Sequence, residues 1–382
     1  MQHAGLYIHI PFCVQKCLYC DFLSYSDRAG QISVYIEALC RELLLKSSNY
    51  AKLHFDTIFI GGGTPSCIPA EQIYKIIQCC REYYSIDPTV EISMEMNPGT
   101  AKPEWMEIYK QCGINRFSIG TQSSSNRLLK RIGRIHNAHD AMNTIQWLQQ
   151  NHFTNYNLDF ISAIPGISGD EPEQMNEILA DIDFAVQSLA THISVYSMIT
   201  EPDTPLYNLT IKGHVKPVDD AAEREMYHTI RNKLINAGFV HYEISNFARP
   251  GFQCKHNLKY WQGAPYLGVG LGSASYLPNG KNNNYIRHSN TRNFNDYLEN
   301  PITVGESEAI SLSERKKEYM MLGFRLINGP DPVLYQQLFQ SNMLHDFSRE
   351  IAFLQDRKLI HSDLSLTKYG LDFENEISRE FI

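Results

Sequence analysis

Three of the chain's nine cysteines, Cys13, Cys17 and Cys20, fall within eight residues. The pattern C-x-x-x-C-x-x-C lets one loop wrap one inorganic group. Thiolates are the ligands of iron–sulfur clusters, and tight spacing suits a cluster held by a single loop. Zinc is the competing chemistry, but structural zinc normally takes four ligands in two pairs. No cysteine or histidine lies close after Cys20, and His9 sits on a β-rich run, a weak place for a fourth ligand. A cubane with three protein thiolates leaves one iron open, as a catalytic metal keeps an open position. The other six cysteines are scattered and read as buried thiols. An odd count also argues against a disulfide framework.

These cysteines need a scaffold, and the first 200 residues describe one. β-rich runs at 6–10, 57–60, 90–96, 116–119, 156–161 and 192–196 alternate with helical spacing at 33–46, 70–84, 103–112, 138–150 and 172–189. Pro103 suits a helix N1 position. Each crossover is long enough for parallel pairing, so the pattern predicts a parallel α/β sheet. An open doubly wound sheet and a curved partial barrel both fit. Either places ligands at the carboxyl ends of the strands. Cys13, the glycines at 61–63, Glu95, Gln122 and Asp159 all lie at or near such ends.

After about residue 215 the alternation stops. The sequence then predicts a helix at 218–237 ending at Gly238 as a C′ glycine, a strand at 240–247 and a loop at 248–292. Helices at 313–326, 332–339 and 347–355, followed by a short hairpin, predict a winged-helix-like end. The expected division is 1–215 and 216–382.

Composition excludes several function classes. Basic residues number 34 against 42 acidic, a net charge of −8, which argues against nucleic acid or an anionic membrane as partner. No run of eighteen apolar residues occurs, so no transmembrane segment is expected. The first residues lack the basic and apolar regions of a secretory signal, which makes the cytoplasm the expected compartment.

The stretch Tyr7-Ile8-His9-Ile10-Pro11-Phe12-Cys13-Val14-Gln15-Lys16-Cys17-Leu18-Tyr19-Cys20 resembles radical S-adenosylmethionine (SAM) enzymes, and more narrowly the oxygen-independent coproporphyrinogen III oxidase family. The resemblance implies a partial (β/α)6 TIM-like radical SAM barrel followed by an α+β domain. It implies a 4Fe–4S cluster on Cys13, Cys17 and Cys20, whose open iron chelates SAM, and reductive cleavage to a 5′-deoxyadenosyl radical. Gly61-Gly62-Gly63-Thr64-Pro65 matches the segment that cradles the SAM methionine group, which nominates Gly62, Gly63 and Thr64. Taken alone, those glycines could form a plain tight turn. Ser93-Met94-Glu95-Met96-Asn97-Pro98 nominates Glu95, and Arg116-Phe117-Ser118-Ile119-Gly120-Thr121-Gln122-Ser123 nominates Gln122. By position, the resemblance adds Tyr7, Tyr19, Arg134 and Asp159 as cofactor contacts. A core tyrosine and a solvated helix charge are the plainer readings of Tyr7 and Arg134.

Two features separate branches of the family. The oxidases carry a further cysteine two residues after the third, where this chain has Phe22. The heme-chaperone branch, the HemW-type proteins, departs in the same way. His256-Asn257-Leu258-Lys259-Tyr260-Trp261 matches the H-N-x-x-Y-W motif of that branch. His256 offers an imidazole for iron. Tyr260 and Trp261 offer flat faces for a porphyrin, and Lys255 and Lys259 could pair with propionates. A packing loop is the plainer reading of 254–261. The resemblance implies a heme carrier serving a membrane-bound respiratory haemoprotein, with a homodimer as a further expectation and membrane contact only through the partner. Oxidative decarboxylation of coproporphyrinogen is the alternative.

Overall fold

The structure is a computed structural model and describes residues 2–280 and 283–382. The first half runs β1 (Gln2–Ile10), α1 (Ile32–Ser47), β2 (Leu53–Gly62), α2 (Ala70–Tyr83), β3 (Ile86–Met96), α3 (Trp105–Gln111), β4 (Arg116–Gln122), α4 (Asn126–Arg131), α5 (Ala138–Gln150), β5 (Tyr156–Ser162), β6 (Gly166–Ile167), α6 (Met175–Gln187) and β7 (His192–Ser197). Strands β1, β2, β3, β4, β5 and β7 pair in parallel and in chain order. A doubly wound sheet would reverse its order at a switch point, and none occurs here. The same strands turn alternate residues into one shared cavity, among them Tyr7, Phe59, Glu95, Ser118, Asp159 and Ser194. A sheet that does this is curved, so the architecture is the partial barrel.

The residues between those positions, including Leu6, Ile8, Ile58, Ile60, Met94, Phe117, Leu158 and Ile193, are buried in the main hydrophobic core. This period of two sets the strand register, because a one-residue slip would put charges under the helices. Local signals start and stop the helices. Asn137 and Asp140 form a capping box on α5. Pro103 lies before α3 rather than in it, where its carbonyl accepts from the Met106 N–H.

The second half departs from expectation. After α7 (Pro205–Ile211), β8 (Val215–Lys216) and α8 (Asp220–Asn236), the single strand expected at 240–247 is two: β9 (Val240–Glu243) and β10 (Asn246–Ala248). The chain turns at Ile244, whose N–H donates to the Arg325 carbonyl. β10 then pairs antiparallel with β7, at one edge of the sheet. Gly238 closes α8 at φ +86°, as a C′ glycine does.

The expected loop at 248–292 is instead ordered structure: α9 (Lys255–Trp261), β11 (Tyr266–Val269), β12 (Ala274–Pro278) and β13 (Tyr285–Asn290). β11 adds to β1 in parallel, so the sheet continues past residue 215 at both edges. Short strands joined by glycine turns explain why the stretch reads as loop. A Cβ at Gly268 would lie 2.1 Å from the Ala274 carbonyl oxygen. After α10 (Phe294–Glu299) and β14 (Val304–Ile310) come α11 (Leu312–Gly323), α12 (Pro332–Phe339), α13 (Met343–Asp346), α14 (Ser348–Asp356), α15 (Lys368–Asp372) and α16 (Glu374–Arg379), which enclose a second core. The hairpin after α14 is one bridge, Ile360 to Leu366.

A buried carboxylate joins the added strands to the barrel. Glu42 on α1 contacts Lys46 at 2.6 Å and accepts from the Gly270 N–H at 2.8 Å, the Tyr297 hydroxyl at 2.6 Å and Asn290 Nδ2 at 2.7 Å. Removing one member of a buried ion pair strands the other. Glu42→Ala is expected to cost roughly 3–5 kcal/mol in urea unfolding, and Glu42→Gln less. A loss under 1 kcal/mol for Glu42→Ala would remove this junction as the link.

Candidate functional site

The three cysteines, the residues put forward for SAM, His256 and Tyr260 line one cavity of about 540 Å³ at the carboxyl end of the parallel strands, whereas Lys255, Lys259 and Trp261 lie outside its lining. The cysteine loop forms its mouth. Cys13, Cys17 and Cys20 are partly exposed, and Phe22 is 65% exposed. Among the described residues no group of three His, Cys, Asp or Glu converges on a position for a single metal ion. A cubane makes a different demand, because each thiolate binds its own iron.

The glycine segment is shaped first by the chain itself. The Gly63 N–H donates to the Ile10 carbonyl and the Thr64 N–H to the Phe12 carbonyl, at 2.9 and 2.7 Å. A Cβ at Gly63 would lie 2.6 Å from the Phe12 oxygen, and one at Gly62 (φ +113°) would lie 2.4 Å from the His9 ring. The glycines thus allow β2 to pack against the lead into Cys13, and Thr64 Oγ1 comes within 3.4 Å of Cys13 Sγ. His9 is no candidate ligand. Its Nδ1 meets the Tyr7 hydroxyl at 3.0 Å and its Nε2 the Leu23 carbonyl at 2.8 Å.

Arg134 is held beside the cysteines rather than in solvent. Its Nη2 donates to Asn97 Oδ1 at 2.6 Å and to the Gly120 carbonyl, and its Nη1 reaches Cys17 Sγ at 3.5 Å. Its Nε is buried without a partner. Burial pushes the Tyr19 hydroxyl up and Cys20 up to about 11. A bound metal would reverse that for the thiol, since coordination requires the thiolate. Gln122 ends β4 in a left-handed conformation (φ 65°) that turns the chain at the cavity wall.

Deeper inside, Glu95 Oε2 accepts from the Gly62 N–H at 3.0 Å. Burial, then the charge of Asp159, push its carboxyl up to about 7. Asp159 accepts from Ser118 Oγ at 3.0 Å and Asn157 Nδ2 at 2.7 Å, and burial raises it despite these bonds and nearby Arg116. Asn97, Arg116, Ser118, Asn157, Ser194 and Tyr196 also line the cavity but were not nominated. The signal that could have found them is the polar half of the two-residue alternation in β4, β5 and β7 and, for Asn97, the same period carried one step past Glu95 at the end of β3.

His256 lies on the cavity floor. It is 1% exposed, with Nδ1 at 2.9 Å from Thr57 Oγ1 and Nε2 at 2.9 Å from the Tyr260 hydroxyl. Both ring nitrogens thus have hydroxyl partners in this arrangement. Lys259 is engaged by Asp56 at 2.6 Å, and Arg325 covers the Trp261 ring at 4.8 Å.

A model of the radical SAM superfamily matches residues 7–179. A Lactococcus lactis protein named heme chaperone HemW is 31% identical, covering 98% of this chain and 96% of its own length. A Buchnera aphidicola protein of the same name is 35% identical, covering 99% and 98%. The chain belongs to the HemW family. Its fold is that of coproporphyrinogen III oxidase (HemN) from Escherichia coli, with a TM-score of 0.81 over 100% of this chain and 90% of that one, at 18% identity. Membership in the superfamily implies a 4Fe–4S cluster and SAM. The cavity fits them: three thiols from one loop stand at its mouth, and an arginine with an unpartnered buried Nε and the carboxylates of Glu95 and Asp159 lie behind. A bound cluster supplies an open iron and an electron. Among the described residues no helix is long and apolar enough to cross a membrane.

Glu95 gives a pH test with a definite sign. Its folded pKa lies above the ordinary carboxyl value, so the free protein keeps the proton up to about pH 7, and the stability this group contributes is full below the ordinary carboxyl pKa and is lost as pH rises from there to about 7. SAM is cationic at its sulfonium and amine, and favours the carboxylate. SAM affinity should therefore rise between pH 6 and 8 with proton release, measured by calorimetry in two buffers of different ionisation enthalpy. Glu95→Gln should flatten the profile. A flat profile in the unmodified protein would remove Glu95 from the SAM site.

Proposed function

We propose that this protein is a heme carrier built on a radical SAM scaffold. It binds heme, one 4Fe–4S cluster on Cys13, Cys17 and Cys20, and SAM, and delivers heme to a respiratory haemoprotein at the membrane without oxidising coproporphyrinogen. Tyr7, Tyr19, Gly62, Gly63, Thr64, Glu95, Gln122, Arg134 and Asp159 hold SAM in this reading. Arg134 takes a carboxylate, because its guanidinium is fixed beside the cysteines. Residues 1–215 carry the cluster and SAM, and residues 216–382 complete the cavity floor and add the helical core.

The observation that carries the reading is Phe22. It stands at the cavity mouth where the oxidases carry a further cysteine, and it is 65% exposed. Ile199 and Tyr196 are exposed on the same rim. An apolar rim around an open mouth suits a flat macrocycle better than a small polar substrate. The names of relatives that match over nearly the whole chain support the same reading.

The test adds heme, and separately coproporphyrinogen, to anaerobically purified, cluster-loaded protein with SAM and a reductant. The expected result is a stable Soret band at one heme per chain and no carbon dioxide from coproporphyrinogen. Decarboxylation with turnover would replace the carrier by an oxidase. Phe22→Asp is expected to weaken heme uptake by about tenfold or more and to leave SAM affinity within twofold.

A further inference from the structure

Helix α9 occupies the end of the barrel opposite the cysteine loop, and the polar inner face of the sheet holds it there. Glu91 on β3 accepts from the N–H groups of Lys255 and His256, both at 3.1 Å, which satisfies two donors of the first helical turn. Lys259 is paired with Asp56 on β2. The His256 ring stacks on Phe59, with centroids 5.2 Å apart, and its edge meets Tyr260. On the other side a Cβ at Gly5 would lie 3.0 Å from His256 Cε1, so the ring rests against the backbone of β1.

A second connection reaches the SAM side of the cavity. His192 Nδ1 faces Asn157 Oδ1 at 2.7 Å and its Nε2 faces the Tyr242 hydroxyl at 2.8 Å. The amide oxygen only accepts, so Nδ1 carries the proton and Nε2 accepts from Tyr242. The Tyr242 oxygen in turn lies 3.4 Å from the Cys254 N–H that leads into α9. At the other end Asn157 Nδ2 donates to Asp159. Every link points the same way, from the start of α9 to the carboxylate of Asp159.

We propose that α9 is the floor of the SAM cavity and that His256 is a positioning residue, which orients Phe59 and Tyr260 beneath bound SAM and ligates no iron. Phe59 and Tyr260 line the cavity, and His256 touches both. A neutral imidazole has one N–H and one lone pair, which suits a place between two hydroxyl groups. Burial, Lys259 and Arg116 hold its pKa down to about 3, so it stays neutral.

The test measures SAM and heme binding separately in the full cluster-loaded chain, with His256→Ala, His256→Gln and Tyr260→Phe. The SAM readouts are the dissociation constant and the change in the reduced-cluster electron paramagnetic resonance signal when SAM is added. His256→Ala is expected to weaken SAM by about tenfold or more, and Tyr260→Phe by about fivefold. His256→Gln supplies an amide to Tyr260 and should recover SAM affinity to within about threefold of the unmodified protein. It supplies no imidazole, so a heme Soret band unchanged in position and affinity in His256→Gln supports the proposal. A lost or shifted Soret band in that variant would overturn it, as would SAM affinity that is unchanged in His256→Ala or not recovered in His256→Gln. The heme arm rests on the carrier reading. If the unmodified protein takes up no heme, that reading fails and the SAM ratios alone decide this one.

Discussion

The contact between the Glu91 carboxylate and the first N–H groups of α9 seals a barrel whose inner face is polar, and much else depends on that seal. Glu91, Glu95, Arg116 and Asp159 all point inward from neighbouring strands. Charges buried this way are costly unless each finds a partner. Glu91 takes backbone donors from α9, Asp159 takes Ser118 and Asn157, and Glu95 takes the Gly62 N–H. Arg116 lies among them as the compensating cation, and Glu91 and Asp159 favour its charge. A sheet open at the amino end would let water in and weaken these interactions. The helix from the second half of the chain therefore belongs to the site as much as the strands of the first half do.

The two ends of the barrel do different work. At the floor, side chains are paired and largely enclosed. At the mouth, three thiols and an apolar rim face outward. A fold shared with an oxidase does not decide between chemistry and carriage, since function lies in the site. One difference from the oxidases lies at the mouth, at residue 22. Such a split lets one scaffold keep its SAM cavity while the surface around the cysteines changes its client.

The parallel strands were legible because β-rich runs alternate with helices that have their own caps and periodicity. The cysteines and the residues put forward for SAM were legible because the fold collects strand ends, and these reach one cavity. The strands β11, β12 and β13 were not. They are short, are separated by sequence rich in Gly and Asn, and become strands by pairing with β1 and each other, a tertiary effect that local sequence does not show. Arg116 and Asn157 were missed because their meaning depends on partners from other strands. The partners of His256 were hidden for the same reason. An imidazole beside two aromatics suggests iron, but its nitrogens are claimed by Tyr260, within the motif, and by Thr57, 199 residues away.

Those partners bear on how a heme could be loaded and released. To free a nitrogen of His256, α9 would have to leave the floor. Glu91 would lose two backbone donors, Asp56 would lose Lys259, and the chain from Cys254 to Asp159 would open at Tyr242. Breaking buried, charged contacts costs several kcal/mol apiece when one partner stays behind. A carrier must release its cargo, and a route that unseals its own cofactor cavity at each cycle would oppose that. The mouth carries no such penalty. Phe22 and Ile199 are already exposed there, so a macrocycle resting on them covers apolar surface on arrival and disrupts no buried pair on departure. The physical division between a closed floor and an open rim thus favours exchange of heme beside the cysteine loop, with SAM held in the cavity beneath it.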